Sequence, residues 1–368
     1  MNVPTTSPTR LRQIAFIAQD MKRARYLLTT ILDTEVVYVD PQVSRWGIEN
    51  ILGAYAYAWI HMMMPFSILT MVCTGSGVVS IGGDVIEVCS PIKAGLHTPA
   101  GRQLAKLNTD AAGYMLIMQT VDAIARRRYI ESRSLGRVIF SHYNSGTVPE
   151  FESPGTTTTD DINTTQTNTG VKRETEEEIE SVCIQYHPRG IPGGIMPELD
   201  SHATTHENPD PLSEFSPWHT CGPMSTYPTY SSAMRRNSHL KLIGATLRLS
   251  SGDKDPSDAA RQWHEMFGIP RQNDELIFTN SRLEFLPADP NKREGLESVT
   301  IQVKGRAKFD RILKKVADHG LCGDGWTNML GIKWYFVLDE VESDLDSNTH
   351  TNGRDQAPKS KRPNGTKL

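Results

Sequence analysis

The chain has 368 residues, a formal net charge of −4, and 38% hydrophobic against 22% charged residues. That is room for two or three domains with sizeable cores, and too little positive charge for a polyanion-binding surface, so nucleic acid is not an expected partner. Five scattered cysteines (Cys73, Cys89, Cys183, Cys221, Cys322) form no C-x-x-C pair. They fit free thiols in a reducing compartment better than a disulfide framework or a zinc cluster. The N-terminal stretch lacks an apolar signal core, so a cytoplasmic location is expected.

In chain order, Leu11 to Ala18 alternates as a strand, Asp20 is placed to cap a helix, and Ala24, Leu27, Leu28 and Ile31 form its buried stripe. Val36 to Val39, "RWGIENIL" and "GGDVIEVCSP" are further strand candidates, with Gly82, Gly83 and Asp84 as turn residues. The same order returns: "GYMLIMQ" as strand, an Asp122-capped helix, another strand, and a closing hairpin in "ESVCIQYHPRGIPGGIMPEL". Third and fourth copies open at His239 and Leu296 and close with "RLEFLPA" and "IKWYFVLD". Glycines 136, 268 and 320 are expected as left-handed helix caps. Repeated units of this kind must pair, because one alone cannot bury its sheet face. The expected fold class is α+β, with four βαβββ units paired into two cupped mixed sheets. The expected boundaries are an N-terminal domain over 10–208 (units 10–91 and 113–199, insertions 53–80 and 150–180), a linker over 209–238, a C-terminal domain over 239–340, and a polar tail over 341–368. The Thr-rich insertion and the tail read as solvated and disordered, and the basic end of the tail reads as a solubilising tail or a nuclear signal.

The run from Gly53 to Val79 contains no charged residue and is long enough to cross a bilayer. His61, Pro65 and the "TGSG" end dilute it, and no Lys/Arg cluster flanks it. A crossing there would also separate two adjacent strands of one unit. The run therefore reads as an insertion in a strand connection, of the kind a translated intron would add. Excising it leaves "RWGIENIL" followed by "IGGDVIEV" as a hairpin.

The unit opening "LRQIAFIAQDMKRAR" and closing "DVIEVCSP", with "DPQVSRWGIENI", "SPIKAG", "TPAGR" and "YHPRGIPGG", resembles the glyoxalase-like, vicinal-oxygen-chelate superfamily, and most closely its two-domain fungal and bacterial glyoxalase-like proteins. The resemblance implies a cupped pocket for a small oxygenated molecule, often with a divalent metal (Fe, Mn, Zn, Ni or Co) held by one residue on the first and one on the last strand of each unit. Carried over, those positions are Gln13 and Glu87 in the first unit and Met115 and Glu198 in the second. Met115 departs from the expected histidine, a thioether being a poor ligand for a hard ion. His187 is the candidate to fill that corner. Glu87 and Glu198 are the catalytic candidates, and Trp46, Arg102 and His187 the substrate-binding ones. Pro197 suggests an irregular strand end. The H-x-x-x-H pair His202 and His206 lies in a loop-like stretch, a weak metal signal. Glu284 alone matches in the C-terminal pair, which reads as degenerate. There is no nucleotide fingerprint, so no nucleotide cofactor is expected. The functional readings are an isomerase, lyase or dioxygenase, a non-catalytic small-molecule binding protein, or a membrane-anchored protein through 53–79. The oligomeric state stays open.

Overall fold

The structure, a computed structural model, describes residues 8–38, 48–49, 77–91, 98–145, 179–253 and 255–340. Trp46, most of the apolar run, most of the Thr-rich insertion and the tail lie outside the described residues. The fold is α+β, with two mixed sheets built from four βαβββ units. The N-terminal sheet contains β1 (Thr9–Ala18), β2 (Val36–Tyr38), β3 (Ile48–Glu49), β4 (Gly77–Ile81), β5 (Asp84–Pro91), β6 (Ala111–Thr120), β7 (Val138–Ser145), β8 (Ile179–Tyr186) and β9 (Met196–His202). Its order is β2-β4-β5-β1-β6-β9-β8-β7, with β3 pairing β5. The first strands of the two units meet antiparallel at the centre, and each runs parallel to the last strand of its own unit. The C-terminal sheet repeats the plan with β10 (Leu240–Arg248), β11 (Arg271–Gln272), β12 (Glu275–Ile277), β13 (Arg282–Leu286), β14 (Gly295–Lys304), β15 (Thr327–Met329) and β16 (Ile332–Asp339).

The helices are α1 (Met21–Ile31), α2 (Pro99–Leu107), α3 (Ala123–Ser132), α4 (Tyr227–Arg236), α5 (Pro256–Phe267) and α6 (Arg306–Asp318). Asp20 and Asp122 cap α1 and α3, accepting from Arg23 N at 2.9 Å and Ala125 N at 2.8 Å. Gly268 takes the left-handed cap of α5 with φ 72°. At the end of α3 that conformation falls to Ser134, with φ 53°, and not to Gly136. A Cβ at Gly136 would meet the tip of the Met266 side chain, which is flexible enough to turn aside.

One apolar core joins the two sheets. Leu11, Ile14 and Phe16 of β1 share it with Leu242, Ile301 and Trp334 of the C-terminal sheet, and Phe16 stacks on Trp334 with centroids 5.7 Å apart. The opposite face of β1 lines the N-terminal cup.

The apolar run is corrected at its end. Gly77 to Ser80 belong to β4, which makes a two-residue hairpin with β5 through Gly82 and Gly83. On β5, Glu49 pairs with Ser90 and Gly77 with Val88, so a single position, Cys89, separates β3 from β4. One residue of extended chain spans that gap, so β3 and β4 follow one another along β5 as two pieces of one strand. Pro197 does not disrupt β9. It lies second in the strand, ahead of the β8 ladder, which begins at Gln185 opposite Glu198.

Candidate functional site

Two bulges shape the floor of the N-terminal cup. The β1–β6 register jumps between Leu11 and Gln13, and again between Ala15 and Phe16, where Met115 gives way to Gly113. A bulge turns two successive side chains towards one face. Arg12 and Gln13 both reach Trp218, and Tyr114 and Met115 both join the apolar cluster on the concave side. The C-terminal sheet carries the same two jumps, between Leu242 and Gly244 and between Thr246 and Leu247.

Glu87 lies beside Ala15 on β5, and Glu198 beside Ile117 on β9, so the two carboxyls hold matching places in the two units. Gln13 Nε2 donates to Glu87 Oε2 at 2.8 Å, and the Cys89 thiol donates to Glu87 Oε1 at 3.5 Å. Gln185 Nε2 donates to Glu198 Oε2 at 2.7 Å. The Tyr114 phenol is held well above its usual pKa by burial, then by Cys89, Glu87 and Glu198, with Arg102 pulling the other way. Tyr114 therefore feels both carboxylates. Arg102 reaches it electrostatically from α2, whose Ala100 and Leu104 pack on Ile17 and Cys89.

A second, denser cluster surrounds Glu198. The ligand atoms of Cys183, Glu198 and Asp200 all lie within 4.8 Å of one another, because Cys183 pairs with Asp200 across β8 and β9. Asp200 is 0% exposed, and neither carboxylate oxygen has a hydrogen-bond partner. Burial, then the charge of Glu198, pushes its carboxyl well up, and burial raises that of Glu198 against the bond from Gln185. Cys183 is held up by burial and by the same two acids. His219 Nε2 stands 3.6 Å from Asp200 Oδ2, and its Nδ1 lies 3.2 Å from His202 Nε2. Burial, then His142, lowers His219 to about 4, and 29% of its side chain is exposed.

The segment expected as a plain linker closes this cup. Trp218 is fully buried, and with Thr220 it donates to Gln13 Oε1 at 2.8 and 2.6 Å. Arg12 pins the segment by donating to the carbonyls of Ser213, Glu214 and Ser216 at 3.2, 2.9 and 2.8 Å, with its carbon 5.5 Å over the Trp218 ring. Burial, then Arg10, lowers the Arg12 pKa to about 10. Gly83 makes room for the segment, since a Cβ there would meet the Glu214 carbonyl. Trp218, Cys221, Tyr230 and Met234 pack with Ala15, Val78, Val85, Met115 and Ile117 over the floor.

Of the residues expected from the sequence, Gln13 and Glu87 meet directly, and Glu198 shares their concave face. Arg102 stands near Tyr114. His187 is engaged elsewhere: its Nδ1 accepts from Arg189 N at 2.9 Å in the turn after β8, and burial, then Arg137 and Arg189, lowers it. Trp46 lies outside the described residues. His206 is fully exposed beside Glu207, so the neighbour of His202 is His219 and not His206. Tyr114, Cys183, Asp200, Trp218 and His219 went unread. For the β9 residues the signal was present, since Glu198, Asp200 and His202 recur every second residue on one strand. In the C-terminal sheet the matching places fall on Gly244, Glu284, Ser298 and Tyr335, which offer a single carboxylate.

The four corners implied by the resemblance do not suit a metal as they stand. Gln13 Oε1, the ligand atom, already accepts two hydrogen bonds, and Met115 sits in an apolar cluster. The set around Asp200 does suit one. A thiol, two carboxyls and an imidazole are donors that Zn, Fe or Co accept, and a buried carboxylate without partners calls for positive charge.

No family model matches the sequence, and no curated protein matches it either. Among solved structures, the chain is similar to a hypothetical protein from Staphylococcus aureus (TM-score 0.47, 11% identity, covering 90% of this chain and 99% of that one). It is similar to methylmalonyl-CoA epimerase from Mycobacterium tuberculosis (0.32, 14%, covering 55% and 93%). It is also similar to a mutant of 4-hydroxymandelate synthase from Streptomyces coelicolor (0.45, 9%, covering 84% and 75%). Likeness at these values is no argument for any of their activities.

Proposed function

We propose that the N-terminal concave face takes a small oxygenated organic molecule and moves a proton on the carbon next to its carbonyl, as an isomerase, epimerase or lyase does. The observation that carries this is the placing of Glu87 and Glu198 at matching positions around Tyr114, in unlike environments. Pairs of carboxyls set apart in this way divide the acid and base roles. Glu87 receives donors from Gln13 and Cys89, which favour its charged form, so it is the base. Glu198 and Asp200 sit where burial favours their neutral forms, so that pole either carries acidic protons or holds a cation that neutralises it. In the step, the substrate C–H bond breaks and the proton goes to a Glu87 oxygen. The electron pair moves onto the carbonyl oxygen, which faces the neutralised acid pole. Return of the proton to carbon completes an isomerisation. Gln13 positions Glu87, the Tyr114 hydroxyl donates to substrate oxygen, and Arg102 is placed for a substrate carboxylate.

The test is solvent deuterium uptake at carbon by NMR, over a panel of 2-oxo acids, 2-hydroxy ketones and thioesters. Wild type is expected to catalyse exchange in one class, and Glu87→Gln to slow it by about 10²–10⁴-fold. Exchange that never exceeds buffer, or that survives Glu87→Gln, removes the reading. One observation favours a second reading, sequestration without turnover: Trp218 and Thr220 already satisfy the Gln13 oxygen, as a substrate donor would. Binding of a panel member without exchange selects it.

A further inference from the structure

We infer that the cup holds a divalent metal ion at a place shifted along β9 from the four corners, between Glu198, Asp200, Cys183 and His219, with the fourth ligand supplied by the segment that closes the cup. This gives a chemical identity to what neutralises the acid pole of the proposed reaction, and it rests on that reading for its role but not for its existence.

Spacing is the first argument. Metal–ligand bonds of about 2.0–2.3 Å at tetrahedral angles place neighbouring donor atoms roughly 3.3–3.8 Å apart. His219 Nε2 lies 3.6 Å from Asp200 Oδ2, too long for a hydrogen bond and the right length for two ligands of one ion. The three atoms from Cys183, Glu198 and Asp200 fall within 4.8 Å of one another, and His219 meets this group at its Asp200 side. The second argument is the isolation of Asp200. It is fully enclosed with both oxygens unpartnered, although native chains seldom bury such a group without compensation. Arg12, a buried cation on β1, turns its two terminal nitrogens to three backbone carbonyls of the segment and not to Asp200.

The surroundings complete a ligand shell. Gln185 holds one oxygen of Glu198, and Cys183 and Asp200 engage the same carboxyl within the cluster. His202 Nε2 meets His219 Nδ1 at 3.2 Å, the outer hydrogen bond that fixes which ring nitrogen of a ligating histidine faces the ion. Trp218 packs against both imidazoles, with centroids 4.9 and 5.0 Å away, and keeps water out. Because His219 belongs to the covering segment, the ion and the closed cup stabilise each other.

The test uses the full chain, stripped with a chelator and titrated with Co²⁺. One equivalent is expected to bind, giving a thiolate-to-cobalt charge-transfer band in the near ultraviolet and the intense visible bands of four-coordinate cobalt. Cys183→Ser abolishes the charge-transfer band. Asp200→Asn and His219→Gln each weaken binding about 10-fold or more, and Glu87→Gln changes it by less than about 3-fold. Because His219 sits at the rim, His219→Gln keeps the core intact, and far-ultraviolet circular dichroism checks folding. No stoichiometric binding overturns the inference. So does binding that Glu87→Gln abolishes and Cys183→Ser leaves unchanged, since that places the ion at the corners. Cobalt binding without deuterium exchange leaves the metal site standing and removes the proton-transfer reading, and exchange by protein that binds no cobalt does the reverse.

Discussion

Trp218 and Gln13 should show an energetic coupling that neither reveals alone. Gln13→Leu keeps the shape but leaves the indole N–H of Trp218, fully buried, without an acceptor, at a cost of about 1–3 kcal/mol. Glu87 also loses a donor at 2.8 Å, but its carboxylate is half-buried and water replaces part of the bond, so about 1 kcal/mol is assigned there. The single variant is thus destabilised by about 2–4 kcal/mol. Trp218→Phe removes the donor and keeps most of the apolar bulk, for about 1–2 kcal/mol. In the double variant no indole is stranded, so the two costs fall short of their sum by about 1–2 kcal/mol. Urea unfolding midpoints at constant m-value read this directly. Additivity within about 0.3–0.5 kcal/mol would refute the claim that the covering segment is pinned to the floor through Gln13.

Two further outcomes follow from other parts of the molecule. Burial would raise the Glu297 carboxyl, but hydrogen bonds from Arg248, Lys292 and Lys333 outweigh it and hold it at about 2. Its contribution is present above about pH 4.5 and lost as pH falls towards 2. Discounted for the solvent around Lys292, it amounts to about 1–2 kcal/mol, and Glu297→Gln should flatten that part of the stability–pH curve. Deleting residues 51–76 joins the two pieces of one strand with the β5 register unchanged. Shortening the connection by roughly 26 residues should stabilise the fold by about 2–3 kcal/mol in thermal or urea melts, and an insoluble or unfolded product would contradict the register argument.

Local chemistry made much of the fold legible. The caps at Asp20 and Asp122 need only a carboxylate and a nearby N–H, and the stripe Ala24, Leu27, Leu28 and Ile31 needs only the helical period. Gln13 and Glu87 are 74 positions apart, and in the sequence only the family resemblance puts them in one site. Three things stayed hidden for physical reasons. Gly77 to Ile81 is covered on both faces, with Val78 towards the cup and Val79 and Ile81 in the shared core, so it shows no alternation and merges into the apolar run. The bulges at Arg12 and Tyr114 leave no mark in composition, yet they decide which side chains enter the cup. The segment around Trp218 is rich in Pro, Ser and Tyr and follows no period, because tertiary contacts from Arg12 and Gln13 hold it instead of regular secondary structure.

The central claim is that the concave face between Glu87 and Glu198 is the ligand site. The most direct measurement is a crystal structure with oxalate, a planar mimic of an enediolate. The account predicts oxalate between Tyr114 and the Glu198–Asp200 pole, facing Glu87, with Trp218 and Thr220 released from Gln13. Oxalate bound only at the C-terminal sheet, or no binding with the Gln13–Trp218 contact intact at saturating oxalate, would contradict it.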